Sequence, residues 1–295
     1  MSTLNRRTFL GRAAVAAVVG STTASSLVGC ARGADSAGAA AAAVAGPRKL
    51  DKISIQLYTL RSLMKAGVEP VLSGVAEIGY DQVEFAGYFD HSPAEIRAML
   101  DANGLVAPSV HVPLETMLAD PDGSIEAATV IGHEYIVVPY IAENLRSDLD
   151  GYRKVCAQLN EIGATCQSAG IQLGYHNHDF EFSELEGAVP YDVMLEECDP
   201  QLVKMELDLF WITNGGKDPI AYFDRYPGRF HLCHVKDRTS DGKMVSVGAG
   251  VIDFASIFAK SDEAGLKYYV VEHDNPDDAM ASARASYQHL SGLEF

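Results

Sequence analysis

From residue 52 onward, short apolar runs rich in β-branched and aromatic residues alternate with longer stretches of helical periodicity. Eight such runs follow one another at intervals of roughly 25 to 37 residues. They predict strands over residues 53–58, 82–86, 107–112, 135–139, 171–177, 203–209, 230–236 and 268–272. The stretches between and after them predict helices over residues 63–78, 93–102, 125–131, 152–169, 191–197, 219–225, 254–264 and 279–290.

The repeated strand–helix order predicts an α/β fold with a parallel sheet. Eight units in one chain close naturally into a single-domain (β/α)₈ TIM barrel. An open doubly wound sheet is the alternative, but the first strand–helix turn has no glycine-rich phosphate loop. Ser92 and Glu95 form the pattern of a capping box before one helix, and Gly170 follows the longest. We therefore expect the barrel.

The first 50 residues have a different composition. Arg6 and Arg7 precede an apolar, alanine- and valine-rich stretch, which resembles a twin-arginine export signal. Residues 27–30 (LVGC) resemble a lipobox, in which Cys30 becomes the lipid-bearing N-terminus after cleavage; the alternative is an ordinary signal with Cys30 incidental. We expect a signal peptide over residues 1–30, a flexible Ala/Gly/Ser linker over 31–50 and the barrel over 51–295. The predicted location is the periplasmic or cell-surface side, with membrane contact only through the lipid anchor.

Charge narrows the range of partners. The 295 residues include 40 acidic and 23 basic side chains, a net charge of -17. Nucleic-acid affinity depends mainly on lysine and arginine neutralising phosphates, so we expect no nucleic-acid partner. An anionic lipid surface is disfavoured for the same reason.

Ionisable side chains collect where the predicted strands end, which in a TIM barrel is the functional face. Burying so many of them in one mouth is costly unless they are paired or bind a cation. Imidazole and carboxylate ligands together suit Mn, Zn, Co or Fe, so one divalent metal ion is predicted. The residues concerned include Glu84, His111, His176, His178, Glu206, Asp208, His234, Lys236 and Glu272.

Aromatic and polar residues near the same mouth favour a small sugar as substrate. Tyr58 and Trp211 are candidate ring platforms, and His111 and Asn177 are candidate hydroxyl partners. No cluster of basic residues with a glycine loop is present to bind a phosphate, which favours an unphosphorylated sugar, keto-sugar or glycoside. Arginines after the first and seventh strands keep a phosphorylated sugar open.

Four segments resemble the sugar phosphate isomerase/epimerase group, the xylose-isomerase-like TIM barrels. They are residues 55–61 (IQLYTLR), 174–178 (GYHNH), 234–237 (HVKD) and 248–254 (GAGVIDF). They occur in the matching order on matching elements, and the resemblance covers nearly all of the predicted barrel.

The resemblance implies a metal held by a Glu, an Asp, a His and a Glu on strands five to eight. Asp208, His234 and Glu272 match the last three positions, and His176 occupies the place where many members have Glu. We therefore expect His176, Asp208, His234 and Glu272 as the metal ligands.

In epimerase members, two metal-bound glutamates exchange a substrate proton from opposite faces, and here one of the two is missing. Glu272 is the expected base, and His178, Glu206 or Lys236 would return the proton. The first hypothesis is a divalent-metal-dependent isomerase or epimerase acting through an enediolate. A lyase or dehydratase acting on an oxidised sugar is the alternative that His176 favours. A non-catalytic carbohydrate-binding lipoprotein is the third hypothesis, and the acidic charge argues against a nuclease.

Overall fold

Eight parallel strands close on themselves in the computed structural model, which describes residues 46–295. The first strand pairs with both the second and the last, and all other barrel neighbours are consecutive along the chain. This confirms the predicted (β/α)₈ barrel. A short antiparallel pair, β8 and β9, follows the seventh barrel strand. The strands are β1 Ser54–Gln56, β2 Gln82–Phe85, β3 Val106–His111, β4 Tyr135–Val138, β5 Gln172–His176, β6 Val203–Asp208, β7 Phe230–Val235, β8 Asp237–Arg238, β9 Met244–Val245 and β10 Tyr268–Val271.

Helices lie outside the barrel and follow its strands. They are α1 Arg61–Met64, α2 Val68–Ile78, α3 Pro93–Asn103, α4 Leu114–Ala119, α5 Pro121–Ile131, α6 Leu149–Ser168, α7 Pro190–Glu197, α8 Leu209–Asn214, α9 Pro219–Arg225, α10 Phe254–Phe258, α11 Ser261–Ala264 and α12 Ala279–Gly292. The capping box of Ser92 and Glu95 is confirmed at the start of α3. Gly170 has φ +80 just beyond α6, a conformation that favours glycine.

The observed helices differ from the predicted ones in three respects. The predicted helix over 63–78 is divided into α1 and α2, and Pro70 lies in the first turn of α2, where its missing N–H costs nothing. The predicted helix over 254–264 is likewise divided into α10 and α11. The short helices α4 and α8 were not predicted, and α8 matters for the site because Asp208 caps it.

The barrel is tied together at both ends of the described chain. The backbones of Arg48 and Phe295 exchange two hydrogen bonds, at 2.7 and 3.0 Å, so residues predicted as the end of the linker contact the barrel.

All four cysteines in the described part of the chain are free and buried. None of the helices in residues 46–295 combines the length and apolar character needed to span a membrane. The predicted signal peptide, lipobox and Cys30 lie outside the described residues.

The interior of the barrel is unusual because charged side chains occupy it. In most TIM barrels, bulky aliphatic residues fill the layers inside the strands. Here the aliphatic and aromatic core lies mainly between strands and helices, while Glu84, Glu206, Asp208 and His234 are fully buried. The strand register sets Asp208 beside His234 and His176 beside Glu206, which brings acids and imidazoles into contact. The fold therefore concentrates ionisable groups at one point.

Candidate metal centre and active site

The four predicted metal ligands meet at the carboxyl ends of strands β5, β6 and β7 and just after β10. One ligand atom from each of His176, Asp208, His234 and Glu272 lies within 4.8 Å of every other, and all four residues are buried. We call these four residues the Glu272 centre. Within this centre, Nδ1 of His234 lies 2.7 Å from Oε2 of Glu272, and Nε2 of His176 lies 3.2 Å from Oδ2 of Asp208. Two imidazoles and two carboxylates at this spacing fit a divalent metal ion.

Asp208 is held in place by the local structure that follows it. Its Oδ1 accepts a hydrogen bond from the backbone N–H of Trp211 at 2.8 Å, which caps the N-terminus of α8. Its own backbone N–H donates to Oδ1 of Asn177 at 3.1 Å. Capping takes one carboxylate oxygen and leaves Oδ2 to face the Glu272 centre. Asp208 is therefore both a helix cap and a candidate ligand.

Lys236 contacts the same carboxylates. Its Nζ lies 2.7 Å from Oε2 of Glu272, 3.0 Å from Oδ2 of Asp208 and 2.9 Å from Oδ1 of Asp274. Burial lowers the pKa of Lys236, but the three carboxylates outweigh burial and hold it well above its ordinary value. The ammonium thus places a positive charge beside Glu272.

A second set of four groups, three buried and one partly exposed, adjoins the first. Glu84, His111, Glu206 and His234 each present a ligand atom within 4.8 Å of the others, and we call them the Glu206 cluster. Nε2 of His111 lies 2.7 Å from Oε2 of Glu206, and Nε2 of His234 lies 2.8 Å from Oε1 of Glu84. His234 belongs to both sets because its two ring nitrogens face opposite sides.

Neighbouring groups of opposite charge shift the pKa values of residues in both sets. Burial lowers the pKa of His234, but Glu206 and Glu272 outweigh it and raise the pKa well above the usual value. Burial raises the pKa of Glu272, yet Lys236 and His234 reverse this and hold it well below the usual value. Burial lowers the pKa of His111, while Glu84 and Glu206 raise it to about 9. Ligation needs an unprotonated imidazole nitrogen, so metal binding at His234 releases a proton.

A cavity of about 420 Å³ opens above these groups. Its size is within the usual range for a small-molecule site. Six predicted site residues line it: Tyr58, His111, His176, His178, Lys236 and Glu272. Asp208 and His234 lie beneath this lining and reach the cavity through the contacts described above.

Three further predicted residues, Glu206, Asn177 and Trp211, do not line this cavity either. Glu206, predicted as a proton donor, is fully buried against His111 and His234. Asn177, predicted as a hydroxyl partner, is fully buried and accepts from the backbone of Asp208. Trp211 stands beside Lys236, whose Nζ lies 5.7 Å from the ring centroid. Glu206 and Trp211 therefore contact imidazole and lysine side chains from behind, whereas Asn177 contacts the backbone of Asp208.

His178 and two tyrosines form the polar and aromatic part of the mouth. His178 stacks on Phe180 with ring centroids 5.5 Å apart, and its buried Nδ1 has no hydrogen-bond partner within the described residues. Burial and the neighbouring imidazole of His176 lower its pKa to about 3, so the ring is neutral. Tyr58 and Tyr140 are each more than two-fifths exposed. Such rings can pack on the apolar face of a sugar.

Asp237 has a structural role that the sequence did not reveal. Its buried carboxylate accepts hydrogen bonds from the backbone N–H groups of Arg238, Gly248, Gly250 and Ile252, at 2.8 to 3.2 Å. A Cβ on Gly250 would lie 2.3 Å from this carboxylate and from the carbonyl oxygen of Arg238. The HVKD and GAGVIDF segments are therefore two halves of one loop anchor.

Glu84, Asp274 and Tyr140 are further site residues without a predicted role. Glu84 lies inside a short buried strand, where a carboxylate is unexpected and signals a buried partner. Asp274 and Tyr140 lie in the loops after β10 and β4, and their contacts with Lys236 and His178 depend on how those loops fold. Only the signal of Glu84 was available from the sequence.

The xylose isomerase-like TIM barrel family matches residues 72–291 of this chain. The chain belongs to this family. The Glu272 centre lies at the strand ends where the resemblance of the four sequence segments predicts a metal ion.

Particular relatives add detail. The inosose dehydratase of Geobacillus kaustophilus is 26% identical over 253 residues, covering 72% of this chain and 82% of that protein. Other curated relatives named inosose dehydratase are matched over about half of their own length. A crystal structure of a sugar phosphate isomerase/epimerase from Parabacteroides distasonis is 26% identical, with a TM-score of 0.73 over 85% of this chain and 95% of that chain. The IOLI protein, solved with a binding zinc atom, shares the fold at 16% identity and a TM-score of 0.65, over 80% of this chain and 95% of that chain.

Proposed function

We propose that this protein is a divalent-metal-dependent lyase that removes water, or another β-substituent, from a keto sugar or keto-cyclitol. One observation carries the proposal: the carboxylate of Glu272 and the ammonium of Lys236 touch at 2.7 Å on the wall of the cavity. An adjacent base and acid suit removal of a proton and protonation of a leaving group within one substrate. The inosose dehydratase relatives support the same reaction class.

The metal would be held by His176, Asp208, His234 and Glu272. The donor set fits, since two nitrogens and two oxygens converge within 4.8 Å in a buried position. A divalent cation bound there supplies Lewis acidity, which polarises a substrate carbonyl and acidifies the neighbouring C–H bond. The zinc atom bound by the similarly folded IOLI protein supports a metal ion in this barrel.

Glu272 removes the proton from the carbon next to the carbonyl. The electrons of that C–H bond form the new double bond, and the bond to the β-oxygen breaks. Lys236 donates a proton to the departing oxygen, which leaves as water, so the reaction involves no net oxidation. Glu272 contributes to the raised pKa of Lys236, so its protonation weakens the hold on the lysine proton. The two transfers are coupled by this contact.

Substrate hydroxyls would be bound by the neutral ring of His178 and by His111, both on the cavity wall. The unpartnered Nδ1 of His178 is a ready hydrogen-bonding group. Tyr58 and Tyr140 would exclude water from the faces of the ring. No step requires Glu206 to reach the substrate.

Isomerisation or epimerisation is the second candidate, because it begins with the same proton removal by Glu272. The Parabacteroides distasonis structure supports it. Against epimerisation stands His176 at the strand-five position, since the epimerase mechanism needs carboxylates on both faces of the carbon. Its Nε2 already contacts Oδ2 of Asp208 at 3.2 Å.

The test is incubation of the zinc- or manganese-loaded protein with inososes and oxidised hexoses in D₂O, followed by NMR and ultraviolet absorbance. A lyase gives an unsaturated ketone with conjugated absorbance. Deuterium incorporation without loss of water supports the isomerase or epimerase instead. Absence of both reactions, with sugar bound, supports a non-catalytic carbohydrate-binding protein.

The N-terminal sequence also favours a location outside the cytoplasm. We infer export by a twin-arginine signal and lipid attachment at Cys30, supported by Arg6, Arg7 and the LVGC segment. The substrate would then be met outside the cytoplasm.

A further inference from the structure

We propose that the Glu206 cluster is a second divalent-metal site, and that His234 bridges it to the Glu272 centre through its two ring nitrogens. The site would be formed by Glu84, His111, Glu206 and Nε2 of His234. It goes beyond the proposed function, which uses one metal ion, and it rests on that function only through the shared imidazole.

The spacing of the four groups is that of a coordination sphere. Nε2 of His111 lies 3.1 Å from Oε1 of Glu84 and 2.7 Å from Oε2 of Glu206. Nε2 of His234 lies 2.8 Å from Oε1 of Glu84 and 3.2 Å from Oε2 of Glu206. Ligand atoms around a tetrahedral zinc ion lie roughly 3.3 Å apart. The four separations above are slightly shorter, so the side chains would only need to move slightly apart to admit the ion.

Gln56 fixes Glu84 as an acceptor. The amide oxygen of Gln56 accepts from the backbone N–H of Tyr58 at 3.0 Å, which assigns the amide orientation. Its Nε2 therefore donates to Oε1 of Glu84, at 2.7 Å. That oxygen cannot carry a proton toward Gln56, and its lone pairs face the imidazoles of His111 and His234. Oε1 of Glu84 is thus held as an acceptor, which is what ligation requires of it.

Two carboxylate oxygens of the cluster lack partners. Oε2 of Glu84 and Oε1 of Glu206 are buried, and neither has a hydrogen-bond partner within residues 46–295. Each belongs to a side chain with no exposed surface. An unpartnered buried carboxylate oxygen is costly, and an ion is one of the few physical explanations for it. A bidentate carboxylate on a metal ion would satisfy both oxygens.

The chemistry of the donors limits the ion. Two imidazole nitrogens with two carboxylates suit zinc, manganese, iron or cobalt, and the nitrogen ligands disfavour calcium and magnesium. An entry path exists because His111 lines the cavity and its side chain is 10% exposed. A metal ion arriving through the mouth would meet His111 first.

The geometry of His234 couples the two sites. Its Nδ1 faces Glu272 at 2.7 Å, whereas Nε2 faces Glu84 at 2.8 Å. One side of the ring therefore belongs to each site, and the ring itself is fully buried. A ring that bridges two metal ions is the imidazolate, so both ring protons are released when both ions bind. A carboxylate–histidine contact without a second ion would only orient the ring for the first metal, which is the usual outer-shell arrangement. The number of metal ions bound distinguishes these two arrangements.

The experiment is metal analysis of the purified full chain after saturation with Zn²⁺ and removal of excess ion, for the wild type and three variants. We expect two zinc ions per wild-type chain, one for Glu206→Gln and one for Asp208→Asn. Glu196→Gln, on the exposed face of α7, is the matched control and should keep two. Circular dichroism checks that each variant is folded.

A wild-type count of one that Glu206→Gln leaves at one overturns the second site and leaves the proposed function intact. A count of zero overturns both. If Glu206→Gln does not fold, titration of the wild type with Co²⁺ decides alone. Two equivalents with magnetic coupling in the electron paramagnetic resonance spectrum support the imidazole bridge, and one uncoupled equivalent refutes it.

Discussion

Replacing Lys236 with Met tests the acid–base pair directly. The ammonium is 2% exposed and contacts carboxylate oxygens of Asp208, Glu272 and Asp274 at 2.7 to 3.0 Å. Methionine has a similar length and no charge, so the change removes the positive charge with little change in volume.

The loss of stability follows from the buried charges left behind. Removing one partner of a buried ion pair costs about 3–5 kcal/mol, because the other charge stays buried without compensation. Metal bound at Glu272 and Asp208 would supply part of that compensation. We therefore expect Lys236→Met to lower the free energy of unfolding by about 3–5 kcal/mol in EDTA and by less with saturating Zn²⁺.

The loss of activity has a separate cause. If Lys236 protonates the leaving oxygen, Lys236→Met lowers kcat by about 10²–10⁴-fold, the usual range for one general acid. Urea unfolding measured by circular dichroism gives the stability, and the absorbance of the unsaturated product gives kcat. Lys243→Met, an exposed lysine with 79% of its side chain accessible, is the control. Unchanged kcat in a folded, metal-loaded variant would refute the role of Lys236, and equal losses with and without zinc would refute the charge argument.

Three further changes test other parts of the structure. Glu181, in the 3-10 helix Phe180–Phe182 after β5, is fully buried and accepts a hydrogen bond from the backbone N–H of His178 at 2.9 Å. Burial raises its pKa from 4.5 to about 7, so its contribution to stability is full below about pH 4.5 and is lost as the pH rises through 7. Between about pH 5 and 8 the wild type should lose about 3 kcal/mol relative to Glu181→Gln in urea unfolding, and parallel pH profiles would contradict this. Asp237→Ala leaves four backbone N–H groups without their acceptor; we expect a loss of about 2–4 kcal/mol and faster amide exchange over residues 248–252, and unchanged protection would count against the anchor. Cys30→Ser should abolish incorporation of labelled palmitate in cells, and persistent labelling would rule out lipid attachment at this residue.

The barrel was predictable because its strands are short apolar runs and its helices carry caps. All eight strands were found, since burial on both faces of a parallel strand gives a clear apolar run. The predicted strand ends were less accurate. The first strand was predicted to reach residue 58, but β1 ends at Gln56 and is followed at once by a short 3-10 helix, Leu57–Leu60. Helix α8 was missed because its start depends on the side chain of Asp208, which is also a candidate ligand.

The convergence of the four predicted ligands was also accessible from the sequence, through strand order and the matching segments. The contacts that Glu206 and Asn177 make behind these ligands could not be predicted from the sequence. Glu206 was expected to serve the substrate, because alternation gives it the same face as Asp208. Two residues along a strand correspond to roughly 6–7 Å of depth in the barrel, and that depth puts Glu206 against His111 rather than in the cavity. Asn177 follows β5 and meets the backbone of Asp208 across the strand pair, a contact set by the folded register.

The charged interior also explains where this barrel gains its stability. Buried ionic networks contribute little net stability, and apolar residues of equal volume often do as well or better. The continuous apolar core between strands and helices includes the fully buried side chains of Phe85 on β2, Tyr175 on β5 and Phe230 on β7. That core can sustain the fold while the axis carries Glu84, Glu206 and their imidazole partners. Retaining carboxylates on the axis is a cost to stability, and a site that must bind cations is a physical reason to retain them.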